Sequence, residues 1–186
     1  MLAAAVALLP LALSQGPAAP LTFAVAPGST LSYRIVHRLH AVDGVSKALE
    51  GRARLLPDGG VQVAVRARVD SFDSGNANRD AHMLEATEAG RIPYVAFKGV
   101  GAGVEVRSYP AVVEVPLQGV LDFHGRQEAV EVTARVRFES ASRATVEASL
   151  PVSLDAHGVE RPSLLFVKVD DRVVVKASLV LAAEAP

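Results

Sequence analysis

The chemistry open to this chain rests on five histidines and on one compact run of ionisable residues, Arg79, Asp80 and His82. A zinc ion would need His37 or His40 joined by His82 or His124 from across the fold. No cysteine is present and no spacing here is that of a zinc motif, so no metal site is expected. His37 and His40, taken as three apart on one strand, would face opposite sides of it. Asp70, Asp73, Asp80 and Glu85 are candidate acids and bases. Neither a Gly-x-Ser-x-Gly elbow, a phosphate-binding glycine loop nor a His-Glu-x-x-His pair accompanies them, so no catalytic residue is expected. A small-molecule hydrolase or isomerase is kept as an alternative. Arg79 and Asp80 beside His82 read as a structural pair or helix cap rather than as reactive groups.

The elements that must position these residues are strands. In Val61–Asp70 the odd positions are apolar, while the even ones, apart from Ala64, are polar or charged. The same two-residue period runs through Val113–Phe123, Val130–Glu139, Val146–Leu154 and Val173–Leu181. Near the beginning it recurs in Leu31, Tyr33, Ile35, His37 and Leu39, then in Leu49, Gly51, Ala53 and Leu55. Turn signals separate the strands at Val42-Asp43-Gly44, Pro57-Asp58-Gly59-Gly60, Ser108-Tyr109-Pro110, His124-Gly125-Arg126 and Asp170-Asp171. Long strands with one apolar face, joined by short turns, predict an all-β antiparallel barrel. Between Ser74 and Glu88 the alternation stops. Asn and Ser suited to capping precede Ala, Met, Leu and Glu, so a short helix is expected there, covering one barrel end.

Charge selects no partner. With 19 Lys and Arg against 20 Asp and Glu, nothing draws the chain to nucleic acid. Residues 1–14 contain an apolar run, Leu2–Leu13, too short to span a bilayer but suited to a secretory signal. Ala12-Leu13-Ser14 supplies small residues for cleavage, although no Lys or Arg precedes Arg34. Residues 15–20 read as a spacer and residues 21–186 as one domain, periplasmic or secreted, with an uncleaved anchor as the rival. Val174 and Val180, apolar on the last strand, offer a homodimer contact.

The stretch Val69-Asp70-Ser71-Phe72-Asp73-Ser74-Gly75-Asn76-Ala77-Asn78-Arg79-Asp80-Ala81-His82-Met83-Leu84, followed by Ile92-Pro93-Tyr94-Val95-Ala96-Phe97, resembles the signature of the YceI-like family of bacterial lipid-binding proteins. Gly119–Gly125 and His157-Gly158-Val159 agree with it further. The resemblance spans roughly Leu21 to Ala182. It implies a lipocalin-like barrel of about eight strands that holds a polyisoprenoid or related amphiphile, for storage or transport, with no other cofactor. Arg91-Ile92-Pro93 departs from the family's more usual aromatic before the proline.

The inward faces carry Val, Leu and Ala with few aromatics, so side chains alone would leave such a barrel partly empty. Residues expected to face a lipid are Tyr33, Ile35, His37, Val63, Val65, Met83, Leu84, Phe97, Leu117, Leu121, Phe123, Val132, Val136, Val175 and Leu179. Arg79, Asp80 and His82 form the accompanying structural motif. His37 either meets the ligand's polar head or is a core histidine bonded to backbone. A structural or stress-related envelope barrel with a solid core would show the same alternation.

Overall fold

The structure, a computed structural model, describes residues 19–37, 40–161, 163–164 and 167–184. The expected signal at residues 1–14 lies outside the described residues, as do Leu39 and the side chains of His37 and His40. The strands in chain order are β1 (Leu21–His37), β2 (His40–Ser46), β3 (Leu49–Leu55), β4 (Val61–Arg68), β5 (Tyr94–Gly101), β6 (Ala111–Phe123), β7 (Arg126–Ser140) and β8 (Arg143–Ser153). The short pair β9 (Ser163–Leu164) and β10 (Val167–Lys168) follows, and then β11 (Arg172–Ala183). The helix α1 (Ala77–Ala86) lies between β4 and β5, after one 3₁₀ turn at Val69–Ser71.

The sheet runs β11-β8-β7-β6-β5-β4-β3-β1-β2 and closes through an antiparallel β1–β11 ladder. β2 pairs with Leu31–His37 of β1, whereas β3 pairs with Leu21–Ala24. The two are therefore successive lengths of one stave, and nine strands make the eight-staved barrel that the alternation predicts. Where the stave is interrupted, the fully buried Ser46 accepts the Ala48 N–H at 3.1 Å and lies 2.7 Å from the Ser71 hydroxyl. It thereby supplies polar contacts that the broken ladder lacks.

Two local features differ from expectation. β1 begins at Leu21 rather than Leu31, because a bulge carries the chain past Pro27 and Gly28. There the Ser29 hydroxyl donates to the Ala26 carbonyl at 2.7 Å and accepts the Val180 N–H at 2.9 Å, replacing missing ladder bonds. Val42-Asp43-Gly44 is strand and not turn, so His40 opens β2 as the register partner of His37 instead of following it on one strand. The cause is cross-strand. Asp43 is ion-paired with Arg34 at 2.7 Å, and Gly44 leaves the space that the Tyr33 ring fills.

The register is the expected one. Arg66, Gln118, Arg135 and Lys176 are exposed, while Val63, Val65, Leu117, Leu121, Val132, Val136, Val175 and Leu179 face inward, fully or partly buried. His124 and Gly125, both at positive φ, make a two-residue hairpin between β6 and β7. This hairpin, α1 and the loop after β8 gather at one end of the barrel.

Candidate functional site

Two cavities that share no lining residue lie within the barrel. The larger, about 430 Å³, occupies the helix end. Its walls are Leu31, Tyr33 and Ile35 of β1, Val42 of β2, Val95 of β5, Leu121 and Phe123 of β6, Leu150 and Val152 of β8, and Val173 and Val175 of β11. Val69, Phe72, Leu154, Val159 and Val169 complete them. Arg79, His82, Met83, Ala86 and Thr87 come from α1 and its C-terminal residue. The smaller cavity, about 80 Å³ and wholly apolar, lies toward the far end, among Phe23, Val63, Val65, Leu117, Val136 and Leu179 and their neighbours.

The helix reaches this position through its own caps. Asn76 accepts the N–H groups of Asn78 and Arg79, both at 3.1 Å. Asp80 accepts the Ser74 N–H at 3.1 Å, and Arg79 donates to the Ser74 carbonyl at 2.9 Å, so both charges tie the helix to the segment before it. Arg79 and His82 lie three apart in sequence, so one helix face brings both to the cavity while both remain exposed to solvent. Met83 and Ala86 turn toward its apolar interior. Thr87 closes the helix by donating to the Met83 carbonyl at 2.7 Å.

Tyr33 is the polar side chain that β1 brings to the chamber. Burial first, and then the nearby Asp80 carboxylate, push its phenol above the ordinary tyrosine range, against the opposing pull of Arg79. The phenol is therefore a neutral donor at physiological pH. Its ring packs against Phe72 with centroids 5.6 Å apart.

The rim beside the segment that follows α1 is held by two histidines. His124 Nδ1 donates to the His157 carbonyl at 2.9 Å, and His157 Nδ1 donates to the Phe123 carbonyl at 3.1 Å. His157 is 1% exposed, its ring 5.4 Å from that of Phe123. Its Nε2 lies 3.1 Å from Glu128, and that of His124 lies 3.7 Å from Glu88. Arg126 adds a bond to the Ala156 carbonyl at 3.1 Å. The loop after β8, whose Leu154 and Val159 line the cavity, is thereby pinned to the hairpin.

Of the fifteen residues expected to face a ligand, His37 has its side chain outside the described residues, and the other fourteen are divided. Tyr33, Ile35, Met83, Leu121, Phe123 and Val175 line the larger cavity, and Val63, Val65, Leu117, Val136 and Leu179 the smaller. Phe97, Val132 and Leu84 line neither. Val132 and Phe97 pack against the core, and the Phe97 ring rests over Gly99 and Gly119, 2.6 Å and 2.7 Å from where their β-carbons would stand. Among the described residues the interior thus offers two chambers with separate linings. Phe72, Val159 and Val169 at the larger chamber carry no alternation signal, being outside the long strands, and sequence reasoning passed over them.

A family model described as the YceI-like domain matches residues 24–181. A search of curated proteins finds no match. Among solved structures, a polyisoprenoid binding domain from Saccharophagus degradans, implicated in plant cell wall breakdown, superposes with a TM-score of 0.69. It is 16% identical, over 88% of this chain and 98% of the other. Burkholderia cenocepacia BcnA gives 0.69 at 20% identity, over 84% of this chain and 98% of the other. The Campylobacter jejuni YCEI protein gives 0.60 at 14%, over 81% and 90%. At these identities the likeness is one of fold.

Proposed function

Since the chain belongs to the YceI-like family, we propose that it binds, stores or transports an isoprenoid or similar amphiphilic lipid, with the tail in the larger chamber and the polar head at the helix rim. The observation that carries this reading is the 430 Å³ chamber with apolar walls and its few polar groups, Tyr33, Arg79, His82 and Thr87, on one side. The likeness to a fold whose Saccharophagus degradans member is described as polyisoprenoid binding supports it. An apolar cavity of about 150 Å³ takes one benzene ring, so this chamber takes roughly three isoprene units. At about 0.8 kcal/mol per buried methylene-sized group, each unit gains roughly 4 kcal/mol gross. Three units offset much of the roughly 4–15 kcal/mol cost of association.

The protein then works as a carrier and not as an enzyme. The solid-cored barrel, the rival reading, is disfavoured by the volume of the chamber. Organic extraction of the purified protein followed by mass spectrometry tests the proposal. A lipid with an isoprenoid or other long apolar tail at near-stoichiometric yield is expected, and a protein that neither carries nor takes up such a lipid overturns it. We further propose export to the periplasm with a mature chain starting near Gln15, on the strength of the Leu2–Leu13 run. Amino-terminal sequencing of protein from a periplasmic fraction tests this, and Met1 retained in the cytoplasmic fraction overturns it.

A further inference from the structure

We propose that His124 and His157 are a proton-operated clasp, which ties the turn after α1 and the loop after β8 to the β6–β7 hairpin more firmly in acid than in alkali, and so slows exchange at the larger chamber in acid. The clasp stands apart from the lipid-binding reading, and only its effect on exchange rests on it. Each imidazole uses its Nδ1 proton on a backbone carbonyl. A neutral imidazole has a single N–H, so each Nε2 is left with a lone pair. The side chain of His157 is 1% exposed and that of His124 10%, and neither Nε2 has a hydrogen-bond partner among the described residues. What each Nε2 faces is a carboxylate oxygen, Glu128 Oε2 at 3.1 Å from His157 and Glu88 Oε1 at 3.7 Å from His124. Acceptor meets acceptor. A second proton on each ring turns these contacts into charge-assisted hydrogen bonds.

The neighbouring charges leave these two glutamates to act. Arg91 bonds Glu88 Oε2 at 2.7 Å and holds its carboxyl below the ordinary carboxylate range, so an anion stands beside His124 in mild acid. Arg126, two residues before Glu128 on the same face of β7, is the charge that opposes a proton on His157. It is drawn off to the Ala156 carbonyl and lies where a β-carbon at Gly158 would stand. Asp155 is taken up by Arg161 at 2.8 Å, Asp171 by the Asp155 N–H, and Asp122 of β6 by Gln127 at 3.1 Å. Glu88 and Glu128 are both about half exposed, so once the rings lose the second proton the two carboxylates turn to solvent and leave two buried acceptors unsatisfied. Protons held by the folded clasp and not by the unfolded chain add stability that is present in acid and lost as pH rises through the imidazole range, around 6.5 for an ordinary histidine. Phe123, Ala86, Thr87, Leu154 and Val159, in the three segments so joined, all line the larger chamber.

Amide hydrogen exchange of the full mature chain, corrected for the intrinsic effect of pH, reads the clasp directly. Protection over residues 154–161 is expected to fall at least about fivefold between about pH 5.5 and about pH 8, while β3 and β4 keep theirs. In the double variant Glu88→Gln, Glu128→Gln each amide can donate to a neutral Nε2, so the contact no longer needs the proton and the fall is under about twofold. Both positions are at the surface, and circular dichroism checks that the variant folds. Farnesol, a prenyl alcohol of three isoprene units, is expected to leave the parent at least about threefold faster at the higher pH and to leave the double variant at similar rates at both. Equal protection of the parent loop at the two pH values, or a double variant that keeps the parent's fall, overturns the clasp while lipid binding stands. A farnesol rate that does not follow the loop overturns the effect on exchange. If the parent takes up no farnesol, the failure falls on the lipid reading, and loop protection still decides the clasp.

Discussion

His157 lies beneath the β6–β7 hairpin with its Nδ1 on the Phe123 carbonyl, while its own carbonyl accepts from His124. One residue thus bonds both positions preceding Gly125 and locks the hairpin to the loop after β8. Replacing His157 by alanine removes its bond to the Phe123 carbonyl and leaves a void in a fully buried site. The expected loss is about 2–4 kcal/mol in a urea titration. His124→Ala removes one bond at a less buried position and costs less.

Val175 faces the larger chamber from β11, beside Tyr33 in the β1–β11 register. Val175→Phe fills the chamber without adding charge. Farnesol affinity is expected to fall at least about tenfold, with the circular dichroism spectrum retained. Val65→Phe, which fills the smaller chamber, leaves farnesol binding within about threefold. Equal losses in the two variants would place the tail elsewhere.

Gly44 and Tyr33 are register partners, and a β-carbon at position 44 would overlap the phenol ring. Gly44→Ala is expected to cost about 1–3 kcal/mol through overpacking. In a Tyr33→Ala background the same change is close to neutral, since alanine suits a strand better than glycine once the ring is gone. A double-mutant cycle by denaturant titration reads the coupling.

Asp171 accepts the Asp155 N–H at 2.8 Å and a bond from Ser153, and these hold its carboxyl below the ordinary carboxylate value of 3.8. Arg161 and Arg172 act in the same direction more weakly. A depressed pKa in the folded state contributes stability above the ordinary value, which is lost as pH falls through the lowered one. Asp171→Ala is therefore expected to be less stable than the parent at pH 7. The gap narrows as both are taken below about pH 4, measured by thermal melting across the acid range.

The barrel was legible because each stave buries one face. Val63 and Val65 on β4 announce their orientation by the flanking Gln62 and Arg66, and Val132 and Val136 on β7 by Glu131, Arg135 and Arg137. The division into chambers was not legible. Val175 and Leu179 stand on one inward face four residues apart, yet serve different cavities, and that depends on how the staves tilt and stagger in the closed barrel. Phe97 looked like an ordinary lining residue, since periodicity shows that a ring points inward but not that two facing glycines receive it. His157, in a loop without periodicity, could be singled out only through its place in the His157-Gly158-Val159 block.

The closing ladder also sets how the molecule can be made. It pairs Phe23 with Ala183, and the Glu184 N–H reaches the Thr22 carbonyl at 2.8 Å, so nearly the whole domain separates the two sides of one seam. Contacts of such sequence separation form late and slowly. Until β11 emerges, β1 and β8 present raw edges on which another copy could template. A shortened or half-synthesised chain is therefore the greater aggregation hazard. The same adjacency lets a short linker join the end of β11 to the start of β1, with new ends cut at the β7–β8 turn, so that the staves follow one another in a different order while keeping every neighbour.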